Sequence, residues 1–151
     1  MWEGRPPHPT HTPNMTLLET LNSTDHFAHT NGIRLTHISE GSAQAEMTVE
    51  PRHLNGGGVC QGGALFTLAD LAFAAVCQSH GLLTLGINNT INFVNSAKLG
   101  DRLRAIATET CDHPKLPVCD IKIYNQDNLL IATATGQAYR KHTPFPFSQL
   151  M

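Results

Sequence analysis

The stretch ALFTLADLAFAAVC, Ala64–Cys77, is apolar around its whole circumference when drawn as a helix. Such a helix has no face for water, so other elements must cover it on all sides. In a chain of 151 residues, only a sheet of several strands offers enough apolar surface to do so. The sequence therefore predicts one central helix with a sheet wrapped around it.

Strand patterns flank this helix along the chain. Before it, a helix over 16–27 and a turn at Asn31-Gly32 lead into a predicted hairpin, whose second strand alternates apolar and polar residues. After it come four apolar stretches separated by short turns, at 83–94, 101–110, 117–126 and 129–140. The order predicts an α+β domain in which an antiparallel sheet of five to six strands surrounds one long helix.

Composition favours one globular domain, with 40% hydrophobic and 15% charged residues. We predict a flexible arm rich in Pro and His over 1–15, the folded domain over 16–143 and a tail over 144–151. A net charge of -2 and ten scattered Lys and Arg residues disfavour nucleic acid as a partner.

The expected location is the cytoplasm. The sequence has no run of roughly 18 apolar residues that would span a membrane, and it has no apolar leader of a signal peptide. No C-x-x-C pair occurs, so we expect reduced thiols. No membrane partner is expected either.

Asp70 is the one charged residue in the apolar helix. An ionised carboxylate in dry surroundings is costly unless it is paired or hydrogen-bonded, and no basic residue lies within one turn. Carboxylates of this kind gather at functional sites. The alternative is that Asp70 and Thr67, three residues apart on one face, mark a narrow solvated stripe.

Glycines precede the helix in the stretch GGGVCQGG, 56–63. The spacing lacks the G-x-G-x-x-G pattern, and no Lys follows Gly62-Gly63 as a phosphate loop requires. A glycine-rich entry into a helix N-terminus remains, where free N–H groups can stabilise an oxyanion. Gly62 is the candidate donor, although the glycines also allow close approach of the backbone to a sheet.

Three segments carry a resemblance to a known family: LNGGGVCQGGALFTLADLAFAAVCQSHG, INFVNSAKLGDRLRA and CDIKIYNQDNLLIATATGQAYR. Together they resemble the hotdog-fold acyl-CoA thioesterases, and among these the phenylacetyl-CoA thioesterase-like group, over about Leu17–Lys141. The resemblance implies the hotdog fold and hydrolysis of acyl-CoA by water activated at the helix carboxylate. It also implies dimers assembled into tetramers, with no cofactor apart from the coenzyme A of the substrate.

By matching position, the resemblance implies that Asp70 is the general base or nucleophile and Gly62 the backbone donor to the carbonyl. Asn55 would orient water or substrate. Further substrate-binding residues implied in the same way are Gln61, Gly63, Phe66, Asn89 and Phe93, and for the CoA phosphates Lys115, Arg140 and Lys141. The alternative for these three cations is ordinary solvated surface charge.

Three positions depart from the family pattern. Gln61 stands where many relatives have His, Gly86 where some have a hydroxyl residue, and Ala74 where a more distant branch has Thr. A glutamine side chain donates and accepts hydrogen bonds but cannot carry a proton as histidine does.

Helix geometry independently predicts a shared site. Gly62 and Asp70 are eight residues apart, which separates them by ~12 Å at ~1.5 Å per residue. One carbonyl cannot reach both, whereas a second, antiparallel copy of the helix would place each N-terminus opposite the other chain's carboxylate. We therefore expect the monomer to be inactive.

Other chemistries fit the sequence less well. The pairs His8/His11 and His26/His29 have no companion Cys or acidic cluster, so no metal is predicted. Cys60 and Cys77 have no neighbour in sequence that would lower a thiol pKa. The leading hypothesis is a thioesterase for aryl- or medium-chain acyl-CoA. The alternative is a non-catalytic acyl-CoA-binding or sensing protein. An enoyl-CoA hydratase would need a His/Asp pair that is not evident.

Overall fold

Helix α3 (Gly62–Gln78) is the centre of the fold in the computed structural model, which describes residues 14–151. The other elements, in chain order, are α1 (Leu17–Thr24), α2 (His26–Thr30), β1 (Arg34–Ser39), β2 (Ser42–Thr48), a 3-10 turn (Pro51–His53), β3 (Leu82–Phe93), β4 (Arg102–Cys111), β5 (Val118–Tyr124) and β6 (Leu130–Pro144). The predicted arm, 1–15, lies almost entirely outside the described residues.

The strands form one six-stranded antiparallel sheet in the order β1-β2-β4-β5-β6-β3. Helix α3 packs against every strand of this sheet, and its buried side chains, among them Leu68, Phe73 and Val76, form one core with the inward-facing strand residues. The α+β class and the sheet wrapped around one long helix are thereby confirmed.

The helix predicted over 16–27 is two helices. Thr16 and Glu19 form a capping box at the start of α1, with Glu19 N–H donating to Thr16 Oγ1 at 3.1 Å. Asp25 then leaves the helical conformation, and its carboxylate accepts from Ala28 N–H at 3.0 Å, which caps α2. The cap ends one helix and starts the next, so the single-helix prediction was wrong at this residue.

One face of α3 is not covered by its own sheet. Gly63 and Asp70 are exposed, whereas Phe66, Thr67 and Ala74 are half-buried. These residues follow the helical spacing and form a stripe that we call the open face of α3. The expectation that Asp70 lies in dry surroundings was therefore wrong for the single chain.

Strand β3 is an edge of the sheet and carries no charged residue along its length, LLTLGINNTINF. Several of its apolar side chains are exposed, including Ile87 at 56% and Phe93 at 57%. Edge strands of monomeric proteins are usually protected by charges, prolines or bulges. The register of β3 shifts at two places, between Leu82 and Thr84 and between Gly86 and Asn88, so the edge beyond Asn88 has neither a bulge nor a charge.

Residues beyond β6 are bonded to the first helix. The N–H groups of Leu17 and Leu18 donate to the carbonyls of Gln149 (2.8 Å) and Leu150 (3.1 Å), which satisfies N-terminal donors of α1. Leu150 also packs against the core. None of the helices in the described part of the chain is long and apolar enough to cross a membrane.

Candidate active site

The N-terminus of α3 has free backbone donors. The capping residue Gln61 makes no side-chain hydrogen bond to the helix, and the N–H groups of Gly62 and Gly63 have no acceptor within residues 14–151. Gln61 N–H donates to His53 O at 2.7 Å, which fixes the chain as it enters the helix. The result is a pair of donors at the positive end of the helix dipole.

Asn55 holds the glycine loop that leads to this helix. Its Oδ1 accepts from Gly57 N–H at 2.9 Å and from Val59 N–H at 3.3 Å. The Nδ2 group has no acceptor within the described residues, and Asn55 lines the same cavity as Gly62. Asn55 thus has an evident role in the loop and one free donor at the site.

His53 is a structural residue of the site that the sequence did not reveal. It is buried, Nδ1 accepts from Glu50 N–H at 2.9 Å, and Nε2 lies 2.7 Å from Asn31 O. A neutral ring with its proton on Nε2 satisfies both contacts. The contact with Asn31 joins segments far apart in the chain, so no local pattern could have indicated it.

A cavity of about 360 Å³ opens beside Gly62. Phe93 forms one wall, and a Cβ atom at Gly62 would lie 2.8 Å from Phe93 Cζ. Glycine is therefore the residue that lets the helix N-terminus and this aromatic ring meet. Other lining residues are Asn55, Gln61, Leu65 and Asn95.

Asp70 lies in a second, narrow cleft on the open face. Its Oδ1 accepts from Asn89 Nδ2 at 3.1 Å, and the cleft is otherwise mainly apolar, with Phe66, Phe73 and Ile91 among its walls. Partial burial raises the pKa of Asp70, the Asn89 hydrogen bond opposes this, and the negative charge of Asp25 adds to it. The residue is exposed in the single chain, and the apolar groups of the cleft remove only part of the water around its carboxylate.

Gly62 and Asp70 do not share a cavity in one chain. No residue lines both the Gly62 cavity and the Asp70 cleft, in agreement with the ~12 Å that the helix places between them. Gln61 and Gly63 also line a third cavity, of about 260 Å³, with Phe27 and Thr67. Of the predicted site residues, Phe66 and Asn89 lie with Asp70, and Asn55, Gln61 and Phe93 lie with Gly62.

The three predicted phosphate contacts differ in exposure. Lys115 is exposed and Lys141 half-buried. Arg140 is only 7% exposed; its Nη1 donates to Asp112 Oδ1 at 2.8 Å, and the buried Nε and Nη2 have no hydrogen-bond partner within the described residues. For Arg140, the alternative of solvated surface charge was wrong, and burial gives its guanidinium no open route to a phosphate.

Arg140 instead belongs to a charged cluster at the far end of α3. His80 contacts Glu109 at 2.8 Å, and Arg140 and His80 together hold the pKa of Asp112 below its usual range. The three groups His80, Glu109 and Asp112 lie close enough to hold a metal ion, but Arg140 already supplies the positive charge between them. His26 and His29 lie outside this cluster, and His8 and His11 lie outside the described residues.

All four cysteines are free, and Cys60 and Cys77 are buried. Burial raises the pKa of the Cys60 thiol to about 11. Hydrogen bonding with the Cys119 thiol and burial raise the pKa of Cys77. Both thiols stay protonated near neutral pH, so neither is a nucleophile at rest.

Comparison with known proteins places this geometry in a family. The family model of the thioesterase superfamily matches residues 57–132. The chain belongs to the thioesterase superfamily. An Escherichia coli protein, acyl-coenzyme A thioesterase PaaI, is 39% identical over 116 residues, which cover 77% of this chain and 83% of the relative.

Further relatives agree. A protein of Archaeoglobus fulgidus named as an esterase is 42% identical over 113 residues, 75% of this chain and 73% of the relative. The structure of E. coli PaaI, from the phenylacetic acid degradation operon, superposes with a TM-score of 0.80 at 36% identity and covers 83% of this chain and 91% of that chain. A Streptococcus mutans protein bound to acetyl-CoA superposes at 0.72 with 26% identity, covering 75% of this chain and 91% of that one. The fold and an acyl-CoA thioesterase type of enzyme are thereby shown.

Proposed function

We propose that this protein hydrolyses aryl- or medium-chain acyl-CoA thioesters to the free acid and CoA at a site shared by two chains. The observation that carries the proposal is the separation of two complementary groups on one helix. Unpaired N–H groups at Gly62 and Gly63 lie at its start, and a carboxylate whose pKa is raised by burial lies two turns later. Both are parts of a hydrolytic site, and one chain keeps them apart.

The reaction assigns one role to each group. Asp70 takes a proton from water as the water oxygen attacks the thioester carbon. The carbonyl electrons move to oxygen, where the N–H of Gly62 stabilises the negative charge. Collapse of this intermediate breaks the C–S bond, and the departing CoA sulfur takes the proton from Asp70. Asn55 orients water or substrate through its free Nδ2.

Two features support a dimer as the active unit. The open face of α3 carries Asp70, and the uncharged edge of β3 lies beside it through the Asn89 contact. A second copy related by a twofold axis would cover both surfaces and bring Gly62 of the partner subunit to Asp70. The tetramer would be a pair of such dimers.

Substrate contacts follow from the cavity walls. The apolar walls of the Asp70 cleft, with Phe66 and Asn89, and Phe93 beside Gly62 suit an aryl or medium-length acyl group. Gln61 and Gly63 would line the path along the helix N-terminus. For the CoA phosphates we propose Lys115 and Lys141, while Arg140 N–H holds the Lys115 carbonyl at 2.8 Å and so fixes that turn. Acetyl-CoA bound to the S. mutans protein makes acyl-CoA the natural test ligand.

The experiment compares wild type with Asp70→Asn on phenylacetyl-, hexanoyl-, acetyl- and palmitoyl-CoA, with free thiol as the readout. We expect wild type to release CoA fastest from the first two substrates. Asp70→Asn should lower kcat by about 100-fold or more, because general base catalysis contributes on the order of 10²–10⁴. Retained activity in Asp70→Asn would disprove the mechanism.

Binding of the same esters, measured by calorimetry, distinguishes the hydrolase from the alternative of a non-catalytic acyl-CoA-binding or sensing protein. Gln61 and Gly86, which replace residues common in relatives, motivate this alternative. If wild type binds the esters but releases no thiol from any of them, the alternative holds and the hydrolase proposal fails.

A further inference from the structure

Asn89 is the one side chain hydrogen-bonded to Asp70 within residues 14–151. An ionised carboxylate only accepts hydrogen bonds, so the amide must present Nδ2 to Asp70 and turn Oδ1 away. One carboxylate oxygen, Oδ1, is thereby engaged at 3.1 Å. The other, Oδ2, has no hydrogen-bond partner among residues 14–151 and could accept a hydrogen bond from water.

The position of Asn89 depends on a glycine in the neighbouring strand. Asn89 on β3 pairs with Gly136 on β6. A Cβ atom at Gly136 would lie 2.8 Å from Asn89 Oδ1 and 2.7 Å from Phe73 Cε2. Gly136 is not among the glycines with positive φ, so its backbone does not require glycine. Glycine is therefore needed at this position for space, which the Asn89 amide and the Phe73 ring fill.

This arrangement has a cost. Asn89 Oδ1 is buried and has no hydrogen-bond partner within the described residues. An unsatisfied buried carbonyl is destabilising, and an apolar residue at 89 would avoid this cost. Orphaned polar groups of this kind are typical of sites where function opposes stability.

We propose that Asn89 is a positioning residue for Asp70, which it holds through Nδ2 so that Oδ2 faces the attacking water, and that Gly136 provides the space for it. The proposal rests on the hydrolytic function proposed above and is distinct from the acyl contact predicted for Asn89. Asn89 would then be the polar partner that β3 supplies to Asp70. Gly86, on the same strand, has no side chain that could do so.

The hydrogen bond should also keep Asp70 ionised. Asp25 is the charged group that acts on Asp70 electrostatically, and it raises the pKa. The remaining side chains around the carboxylate are uncharged. They are Phe66 and Phe73 from its own helix, Ile91 from β3, Ile121 from β5, and Ala134 and Thr135 from β6. Only Asn89 lowers the pKa. Because the base must be ionised, activity falls as the pH drops through this pKa, and losing Asn89 moves that fall to higher pH.

The test uses kcat, KM and the pH profile of kcat/KM with the substrate that wild type hydrolyses best. Asn89→Leu, which keeps the volume, should lower kcat about 10-fold or more, change KM less than about threefold, and move the acid limb up by about one pH unit. Asn89→Asp puts a second carboxylate beside the first, so its acid limb should move further. Gly136→Ala should resemble Asn89→Leu, because the new Cβ displaces the amide.

Asn88→Leu is the matched control, an exposed asparagine next to Asn89, and should keep the wild-type acid limb. Thermal unfolding and gel filtration establish that each variant is folded and has the wild-type oligomeric state. A wild-type kcat and acid limb in folded Asn89→Leu, or a change in KM alone, would overturn the positioning role. Asp70→Asn is measured alongside. Activity in that variant would show that Asp70 is not the general base, which is failure of the hydrolase mechanism and not of the positioning role alone.

Discussion

Gly62 brings two separate properties to the candidate site. Its N–H has no acceptor within the described residues, and its lack of a Cβ leaves room for Phe93. The first property belongs to the chemistry and the second to the packing of β3 against the helix. Substitutions that keep one property and remove the other can separate them.

We predict that Gly62→Pro lowers kcat/KM by about 10²–10³, the loss typical of removing one oxyanion donor. Proline is tolerated at the first position of a helix, and the extended conformation of Gln61 (φ -60°, ψ 134°) suits a residue before proline. Gly62→Ala is the control, because it adds the same Cβ but keeps the N–H, and should lose less than about tenfold. Equal losses in steady-state assays of the two variants would mean that space at Phe93 matters and the donor does not.

The sequence singled out Asp70 as a lone charge in an apolar helix and Gly62 as part of a glycine-rich entry into a helix N-terminus. Contacts between residues far apart in the sequence were beyond such reasoning. His53 contacts Asn31, and Arg140 contacts Asp112 from 28 positions away. Contacts of this kind depend on the register of strands, which no short stretch determines.

At the scale of elements, the strands were predictable because each carries its own periodicity and its own turns. All four strands after α3 begin within about one residue of the predicted bounds, and three of them end within about two; β6 continues to Pro144, beyond the predicted end at Arg140. The division between α1 and α2 was missed, although Ser23-Thr24-Asp25 is a typical capping stretch. The open face of α3 contains Asp70 and Thr67, the pair that the sequence offered as a narrow solvated stripe, whereas its extension to Gly63 and Ala74 depends on where the sheet ends.

The edge strand β3 gives a prediction at this scale. Ile87→Lys adds a charge to an exposed position of the uncharged edge, where two copies related by a twofold axis would bring the charges together. We expect the dimer to dissociate in gel filtration with light scattering, with kcat/KM falling at least about 100-fold as one oxyanion donor is lost from each site. Leu129→Lys, an exposed leucine in the turn between β5 and β6, should stay dimeric and active. An active Ile87→Lys monomer would contradict the shared site.

At the scale of the whole molecule, the sequence alone predicts that two chains contribute to each site. The helix rise alone separates donor from base by ~12 Å, and the structure places them in cavities with no common residue. The exposed stripe and the open edge, unexplained in a single chain, both become interior surfaces if two copies pack together. The proposed dimer would thus cover surfaces that a monomer leaves exposed.

Mixing two inactive variants tests this division directly. In a heterodimer of Asp70→Asn with Gly62→Pro, one site combines both defects, while the other combines the intact Gly62 of the first chain with the intact Asp70 of the second. Random pairing makes half of the dimers mixed, each with one of its two sites intact, so about a quarter of the wild-type kcat should return. Co-expression with two different affinity tags isolates the mixed dimer, whose thiol release should reach about half that of wild type. Each variant measured alone provides the control and should be inactive. If the mixed dimer is as inactive as its parents, the donor and the base act within one chain, and α3 would have to bend or the substrate enter by another route.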